Sequence, residues 1–279
     1  MLVRVVKVRW VRLLVVALLL VAFVVADRDV GARDARLLPA GAHPSALPVA
    51  GPGASGSPSA SPSAGVYADR LPRFDKAPPA VRTAAAVEDG ALPWVARVPT
   101  DQRVAFVTID DGWVKHPKAA ELLREAHVPV TLFLTINAIS DNPEYFRTLQ
   151  DLGAVIEAHT ITHNKLTGLS YDMQRQEICG SADRLGELYG RRPTLFRPPF
   201  GEKDATTLRA AHDCGLKAVF FWKESVNQGN VWYQEVKVVQ PGDVILMHFR
   251  DQFVEDFIAA LQGIKAAGLT PARLEDYYP

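Results

Sequence analysis

The residues VAFVTIDDG, at positions 104–112, decide the fold class of this 279-residue chain. Residues 104–109 are apolar and β-branched, as in a strand buried on both faces, and they end at two acidic residues and a glycine. Pro117 then opens a helical stretch that places Ala120, Leu123 and Ala126 on one face. Together these segments predict the first strand and helix of an α/β domain.

The same alternation continues toward the C-terminus. We predict strands at 129–135, 155–158, 194–197, 217–222 and 243–249, and helices at 143–152, 178–189, 205–214 and 253–264. Apolar strands that alternate with amphipathic helices indicate a parallel sheet covered by helices. About 175 residues are too few for a regular barrel of about 250. We therefore expect a distorted (β/α) barrel with an incomplete strand count, with an open doubly wound sheet as the alternative.

Reactive side chains lie at the ends of these predicted strands. In a parallel α/β fold the carboxyl ends of the strands share one rim, where active sites are built. We therefore expect residues that are distant in sequence to meet there. In chain order they are Asp110, Asp111, His159, His163, Arg197, Trp222 and His248.

Two histidines and a carboxylate of this set have the composition of a catalytic metal site. His159 and His163 are four residues apart, and a carboxylate from Asp110 or Asp111 would complete three ligands, leaving a position open for water. Adjacent side chains of an extended backbone point in opposite directions, so one aspartate can bind the metal while the other faces the water. The alternatives are two surface histidines and an Asp-Asp-Gly sequence that only closes a turn.

The first hundred residues predict an exported protein. Residues 1–12 are basic and residues 13–26 are apolar, but a membrane span needs about 20 apolar residues. We therefore predict a signal peptide at 1–26, with a retained membrane anchor as the alternative. Residues 27–66, rich in Pro, Ala, Ser and Gly, predict a disordered linker. A partly ordered extension at 67–102 and a catalytic domain at 103–279 follow. The domain is expected outside the cell, with membrane contact only through the N-terminal segment.

Charge and cysteine content exclude other classes of protein. The 31 Lys and Arg residues balance 31 Asp and Glu residues, which argues against a nucleic-acid-binding protein. Two cysteines are too few for a disulfide-rich scaffold or a four-cysteine zinc site. Cys179 and Cys214 lie on consecutive predicted helices of an exported chain, and we expect either one disulfide or two buried thiols.

Four motifs, in this order, resemble those of the polysaccharide deacetylase family, carbohydrate esterase family 4, with its NodB-homology domain. They are TIDDG at 108–112, HTITHNKL at 159–166, RPPFG at 197–201 and LMH at 246–248. The resemblance implies a distorted (β/α) barrel with a divalent metal, zinc before cobalt or manganese, bound by Asp111, His159 and His163.

The resemblance also implies roles for the remaining motif residues. Asp110 would be the catalytic base, Arg197 would orient it, and His248 would be the general acid. The backbone N–H of Phe200 would help to hold the oxyanion, and Leu246 would line the pocket for the acetyl methyl group. Aromatic side chains near the rim are expected to contact sugar rings or to pack in the core; they are Trp113, Trp222, Trp232 and Tyr233.

The chain departs from the family after the fifth predicted strand. The family usually carries Asp-x-x-Asp-Trp there, whereas this chain has WKESVN at 222–227, so the aspartate expected to pair with the acid histidine is missing and Glu224 is a candidate replacement. The function predicted is metal-dependent hydrolysis of N-acetyl groups on an extracellular N-acetylglucosamine polysaccharide, such as peptidoglycan or a chitin-like chain. A non-catalytic wall-binding protein and an O-deacetylase of acetylated xylan are the alternatives. The sequence does not indicate the oligomeric state.

Overall fold

The computed structural model of the chain describes residues 65–83, 87 and 89–278. The predicted signal or anchor segment at 1–26, and the predicted linker up to residue 64, lie outside these residues. No helix in the described part of the chain is long and apolar enough to cross a membrane.

The described residues form ten strands and six α-helices. The strands are β1 (Trp94–Val95), β2 (Val104–Asp111), β3 (Thr131–Leu134), β4 (Val155–Ala158), β5 (Leu195–Phe196), β6 (Ala218–Phe220), β7 (Glu224–Asn227), β8 (Asn230–Tyr233), β9 (Val244–His248) and β10 (Thr270–Pro271). The helices are α1 (Ala119–Ala126), α2 (Ile136–Ile139), α3 (Pro143–Asp151), α4 (Tyr171–Tyr189), α5 (Ala205–Asp213) and α6 (Phe253–Ala266).

The strands form one mixed sheet in the order β1-β6-β5-β4-β3-β2-β9-β7-β8, and β10 also pairs with β2. Strands β2 to β6 follow chain order and pair in parallel, as in a (β/α) barrel, and β9 returns to the other side of β2. Strands β1 and β8 lie at opposite ends of this path. The sheet is therefore a half-barrel of mixed α/β type.

Strand β2 shows how the sequence sorts side chains between two cores. Ala105, Val107 and Ile109 belong to the core between sheet and helices, while Val104 and Phe106 belong to a second core inside the half-barrel. The inner core contains aromatic side chains from several elements, including Phe133, Phe220, Tyr277 and Tyr278. One of these rings, Phe133, lies in register with Asp110, so the aromatic core reaches the polar residues at the carboxyl end of β2.

Several helix boundaries follow the sequence signals, but α4 begins at Tyr171, seven residues before the predicted start at 178, and α2 was not predicted. Helix α3 begins with Pro143 after Asn142, whose side chain accepts the Tyr145 N–H, and α4 ends at Gly190, which has a φ of 78°. Cys179 of α4 and Cys214, directly after α5, form a disulfide with a Cα–Cα distance of 5.1 Å. The disulfide alternative is therefore confirmed, and it ties these two helices together.

Three features of the sheet differ from the sequence predictions. Strand β2 continues through Asp110 and Asp111, which end it rather than follow it. Strand β1 comes directly after Pro93 and pairs with β6, within the segment predicted only as a partly ordered extension. The β7–β8 hairpin was not predicted. Its two-residue turn has positive φ at Gln228 (53°) and Gly229 (70°), as a type I′ turn requires.

The segment before β2 packs against the half-barrel. Tyr67 and Leu71 are buried in the core between the sheet and the helices. The N–H groups of Val66 and Tyr67 donate hydrogen bonds to the Glu125 carboxylate. Val95 is buried in the inner core. The described part of this segment therefore belongs to the same packed unit as the sheet.

Candidate active site

Three predicted metal ligands meet at the carboxyl end of the sheet. Asp111 ends β2, and His159 and His163 lie in the loop after β4; their ligand atoms all lie within 4.8 Å of one another. Asp111 Oδ1 is 3.4 Å from His159 Nε2 and 3.1 Å from His163 Nε2. This arrangement provides one oxygen and two nitrogen ligands, the composition of a catalytic zinc site with open positions.

The hydrogen bonding of these residues fits a bound cation. Asp111 Oδ1 is buried and forms no hydrogen bond with any described residue. His159 Nδ1 lies 2.6 Å from the carbonyl oxygen of Arg197. Because a carbonyl only accepts hydrogen bonds, Nδ1 carries the proton and Nε2 presents its lone pair to the cluster. The three residues could therefore hold a divalent metal.

The electrostatics of the cluster favour an ionised Asp111. Burial opposes ionisation, but the neighbouring imidazoles of His159 and His163 outweigh burial and hold the pKa of Asp111 well below its usual range. Burial also opposes the charged form of His159, which by itself would lower the pKa of His159. The carboxylates of Asp110 and Asp111 outweigh burial and raise that pKa. A cation bound here would replace the imidazole proton as the partner of Asp111.

The backbone of the ligand loops adopts conformations that most residues avoid. Asp111, Thr160, His163 and Phe200 have φ values of 75°, 70°, 62° and 61°, and each such residue costs of order 1–3 kcal/mol. Gly112, with a φ of 104°, is also confined, because a Cβ there would lie 2.8 Å from Ile139 Cγ2. The strain is concentrated where the ligand side chains are turned toward one another.

Glu177 of α4 fixes the loop that carries both histidines. Its Oε2 accepts the N–H groups of Ile161 and Thr162, each at 2.9 Å, and its Oε1 accepts the Thr162 hydroxyl at 2.9 Å. Sequence reasoning missed this residue. The sequence does not single Glu177 out, because α4 contains several other charged residues and Glu177 belongs to no motif.

Asp110 lies beside the three candidate metal ligands and is held by Arg197, which is completely buried. Arg197 Nη1 donates to Asp110 Oδ1 at 2.6 Å and to Thr108 Oγ1 at 2.8 Å, and its guanidinium carbon lies 4.4 Å from the centre of the Phe133 ring. Burial lowers the pKa of Arg197, against the charge of Asp110, but an arginine stays protonated. The other oxygen, Asp110 Oδ2, is 3.7 Å from His159 Nε2, and so faces the cluster.

His248 and Leu246 are positioned by the register of β9 against β2. His248 pairs with Asp110 and Leu246 pairs with Thr108, so both face the interior beside the predicted base. Burial lowers the pKa of His248, although the charges of Asp110 and Asp111 oppose the change.

Glu224 does not lie beside His248. It pairs in register with Ile245, whose side chain belongs to the core between sheet and helices, so Glu224 points to the opposite face from His248. There burial, and next the charge of Asp243, raise the pKa of Glu224 to about 9. The structure therefore does not support Glu224 as the replacement for the missing family aspartate.

Asp256, in the first turn of α6, is a carboxylate near His248 that sequence reasoning missed. Its Oδ1 accepts the Gly229 N–H at 2.8 Å, whereas its buried Oδ2 has no hydrogen-bond partner among the described residues. Burial raises the pKa of Asp256, and the Gly229 N–H and the charges of Arg250 and His248 oppose that rise.

The predicted substrate-contacting aromatic residues differ in their surroundings. The Phe200 ring is exposed and lies 4.9 Å from the His163 ring, between centroids. Trp222 is half-buried and stacks on Phe221, with 4.0 Å between ring centroids. Trp113 is exposed one residue after Gly112. Tyr233 packs against α6, since its hydroxyl lies 3.9 Å from the Cβ position of Gly263.

Several known proteins are similar to this chain in sequence. A family model for polysaccharide deacetylase matches residues 97–219. The uncharacterized protein SCO4760 of Streptomyces coelicolor is 37% identical over 191 residues, which cover 66% of this chain and 77% of that protein. The peptidoglycan-N-acetylmuramic acid deacetylase PdaA of Bacillus subtilis is 25% identical, over 63% of this chain and 72% of its own. A peptidoglycan-N-acetylglucosamine deacetylase of Bacillus cereus is 26% identical, over 63% and 85%.

Solved structures share the fold. The family 4 carbohydrate esterase from Streptomyces lividans, in complex with acetate, has a TM-score of 0.55 and 24% identity, covering 62% of this chain and 93% of that one. BA3943 from Bacillus anthracis, a CE4 family pseudoenzyme, has a TM-score of 0.59 and 18% identity, covering 67% and 69%. At these identities the structures show the fold alone.

Proposed function

Because this chain belongs to the polysaccharide deacetylase family of hydrolases, we propose that it is a metal-dependent enzyme that hydrolyses N-acetyl groups of an extracellular N-acetylglucosamine polysaccharide. One observation carries the proposal. The three ligand atoms of Asp111, His159 and His163 lie within 4.8 Å of one another, beside a second carboxylate that a buried arginine holds.

The residues divide the chemistry between them. A divalent cation held by Asp111, His159 and His163 supplies Lewis acidity, which polarises a carbonyl and lowers the pKa of water to about 7. Asp110 accepts a proton from the attacking water at Oδ2, because Arg197 occupies Oδ1. Such proton transfer contributes typically about 10² to 10⁴ in rate.

The opposite wall of the site completes the reaction. His248, beside Asp110 in the sheet, donates a proton to the departing amine. The Phe200 N–H stabilises the tetrahedral oxyanion, as preorganised backbone donors do in acyl transfer. Leu246, which faces the interior next to Thr108, contacts the acetyl methyl group. The products are acetate and a glucosamine-type amine.

The names of the relatives and the N-terminal sequence support a cell-wall substrate. Two relatives are peptidoglycan deacetylases, one acting on N-acetylmuramic acid and one on N-acetylglucosamine. The predicted signal peptide or anchor and the Pro/Ala/Ser/Gly linker would place the domain outside the membrane, within reach of the wall. Zinc is the metal we propose first, because the ligand set is one carboxylate and two imidazoles.

The test is acetate release from chitin oligosaccharides, peptidoglycan and acetylated xylan, with and without a chelator. We expect release from the N-acetylglucosamine polymers, loss with chelator, and recovery when zinc is added. Asp110→Asn should lower kcat by about 10² to 10⁴ while metal content stays that of the unsubstituted protein. The matched control is Asp151→Asn, at an exposed position at the end of α3.

Three results would contradict the proposal or a part of it. Binding to cell walls without acetate release from any substrate would favour a non-catalytic wall-binding protein, and BA3943 shows that the fold occurs in a pseudoenzyme. Acetate release from xylan alone would favour O-deacetylation. Full activity in Asp110→Asn would remove Asp110 as the base.

A further inference from the structure

The β7–β8 hairpin extends the catalytic face of the sheet beyond the residues used above. Thr108 pairs with Leu246, Leu246 pairs with Ser225, and Ser225 pairs with Trp232. Side chains at matched positions of neighbouring strands share a face. Trp232 therefore lies on the same face as Leu246, which the proposed function places against the acetyl group.

The other face of the hairpin is packed, so the hairpin cannot turn Trp232 inward. Val226 is 2% exposed, and Val231 lies 3.7 Å from the Cβ position of Gly263 on α6. The turn is fixed as well: the Gly229 N–H donates to Asp256 Oδ1 at 2.8 Å, and Arg250 Nη1 donates to Asn227 Oδ1 at 2.9 Å.

Trp232 is left 63% exposed on this fixed support. Burying a large apolar side chain stabilises a protein by roughly 1.5–3 kcal/mol, so an exposed tryptophan forgoes part of this gain. Its neighbours in the row, Ser225 and Leu246, carry no charge. The surface therefore suits a flat, uncharged partner with C–H groups, as one face of a pyranose ring provides.

The spacing sets which part of a substrate would reach Trp232. Strand β8 is separated from β9 by β7, so Trp232 is two strand spacings, about 10 Å, from Leu246. If one sugar of a polysaccharide places its acetyl group at Leu246, Trp232 is too far away to contact that sugar and would contact a neighbouring sugar of the same polysaccharide. We propose that Trp232 is a stacking platform for a neighbouring sugar ring and makes the enzyme prefer oligosaccharides to a single sugar; this rests on the proposed function.

The platform is tested by the chain-length dependence of kcat/KM on N-acetylglucosamine and its oligosaccharides. Trp232→Ala should lower kcat/KM on long oligosaccharides by about 3- to 10-fold and leave the shortest accepted substrate unchanged. Trp232→Phe, which keeps an aromatic face, should retain most of the preference for length. Met173→Ala, at an exposed apolar position on α4, is the matched control.

A binding measurement separates failure of the platform from failure of the proposed function. Titration of an oligosaccharide into Asp110→Asn, with and without Trp232→Ala, should show weaker binding in the double variant by the same factor. If no variant releases acetate but this difference persists, the platform stands and the deacetylase proposal fails. Equal effects on all chain lengths, or none on any, would overturn the platform, and thermal melting of Trp232→Phe would show that folding is intact.

Discussion

The two sides of the active-site rim are built differently. On the rigid side, at β2, β4 and β5, Arg197 holds Asp110 through a buried hydrogen bond, and Glu177 holds the loop of the candidate ligands His159 and His163 through partly buried ones. On the side of β9 and the β7–β8 hairpin, His248 and Leu246 are placed by strand register, and Trp232 faces solvent. The difference teaches that the proposed metal ligands and the proposed base are held by side-chain hydrogen bonds, while the proposed general acid and substrate contacts are placed by strand register alone.

The largest effect is expected on the rigid side. The double variant His159→Ala, His163→Ala should lose both bound metal and activity, because only Asp111 remains of the three ligands. We expect the rate of acetate release to fall by at least about 10⁴, to background. Metal content measured after dialysis, together with the rate, checks this.

His212→Ala, at a half-exposed position on α5, is the control for that variant. If the double variant kept stoichiometric metal, the metal would be bound at another site. Asp111, His159 and His163 would then not be the metal ligands, and the comparison between the two sides would lose its main support.

A smaller effect is expected from the contact that holds the ligand loop. Glu177→Gln keeps the shape of the side chain but removes its charge, so the N–H groups of residues 161–162 donate to a neutral amide oxygen and the hydrogen bond with the Thr162 hydroxyl has to reverse its direction. Substitution of such supporting residues typically weakens metal affinity about 10- to 100-fold. A zinc titration with a competing chelator measures the change.

Glu187→Gln provides the comparison on the same helix, because Glu187 is exposed and pairs only at the surface with Arg184. Equal metal affinity in both variants would mean that the loop needs no support from α4, and the rigid side would then be less rigid than its contacts indicate.

The smallest effect concerns the pH dependence of stability on the hairpin side. Burial, and next Asp243, raise the pKa of Glu224 to about 9 in the folded chain, while Arg97 and Lys223 oppose this. The unfolded group titrates near pH 4.3, so above that pH only the folded chain holds the proton. The contribution of Glu224 to stability is therefore full below about pH 4 and decreases as pH rises toward 9.

Glu224→Gln fixes the neutral form, so the free energy of unfolding of this variant should decrease less between pH 5 and pH 9, values that bracket most of the roughly 4.3-to-9 titration range. Urea denaturation at both pH values measures the difference. Glu144→Gln, at an exposed site on α3, should follow the unsubstituted protein. Parallel pH profiles for all three proteins would show that Glu224 is ionised in the folded chain.

Much of the rigid side could be predicted from the sequence. Apolar β-branched runs identified β2 and β4, and the predicted strand ends placed Asp110, Asp111, His159 and His163 at one rim. The reason is local: Asp110 and Asp111 end a strongly patterned strand, His159 directly follows another, and His163 lies in the same short loop. The disulfide between Cys179 and Cys214 needed the structure, because helix proximity alone left buried thiols as an alternative.

The hairpin side could not be predicted in the same way. Glu224, the candidate partner of His248, lies on the wrong face of the sheet, because a side chain's face depends on a register that sequence spacing does not reveal. Asp256 lies on a helix, far along the chain from the hairpin turn that it contacts. The β7–β8 hairpin was not predicted because its strands are short and polar residues flank its turn at 228–229, so the sequence shows no clear strand pattern there.

Arg197 contacts both the proposed base and a proposed metal ligand, the first through its side chain and the second through its main chain. Its guanidinium donates a hydrogen bond to Asp110, while its main-chain carbonyl oxygen accepts one from Nδ1 of His159. Every amino acid has that carbonyl, so a single-codon change at position 197 can remove the support of the base but leaves the group that sets the His159 tautomer. If the proposed function holds, one substitution at position 197 would therefore be enough to lose the orientation of the base while the three proposed metal ligands stay in place.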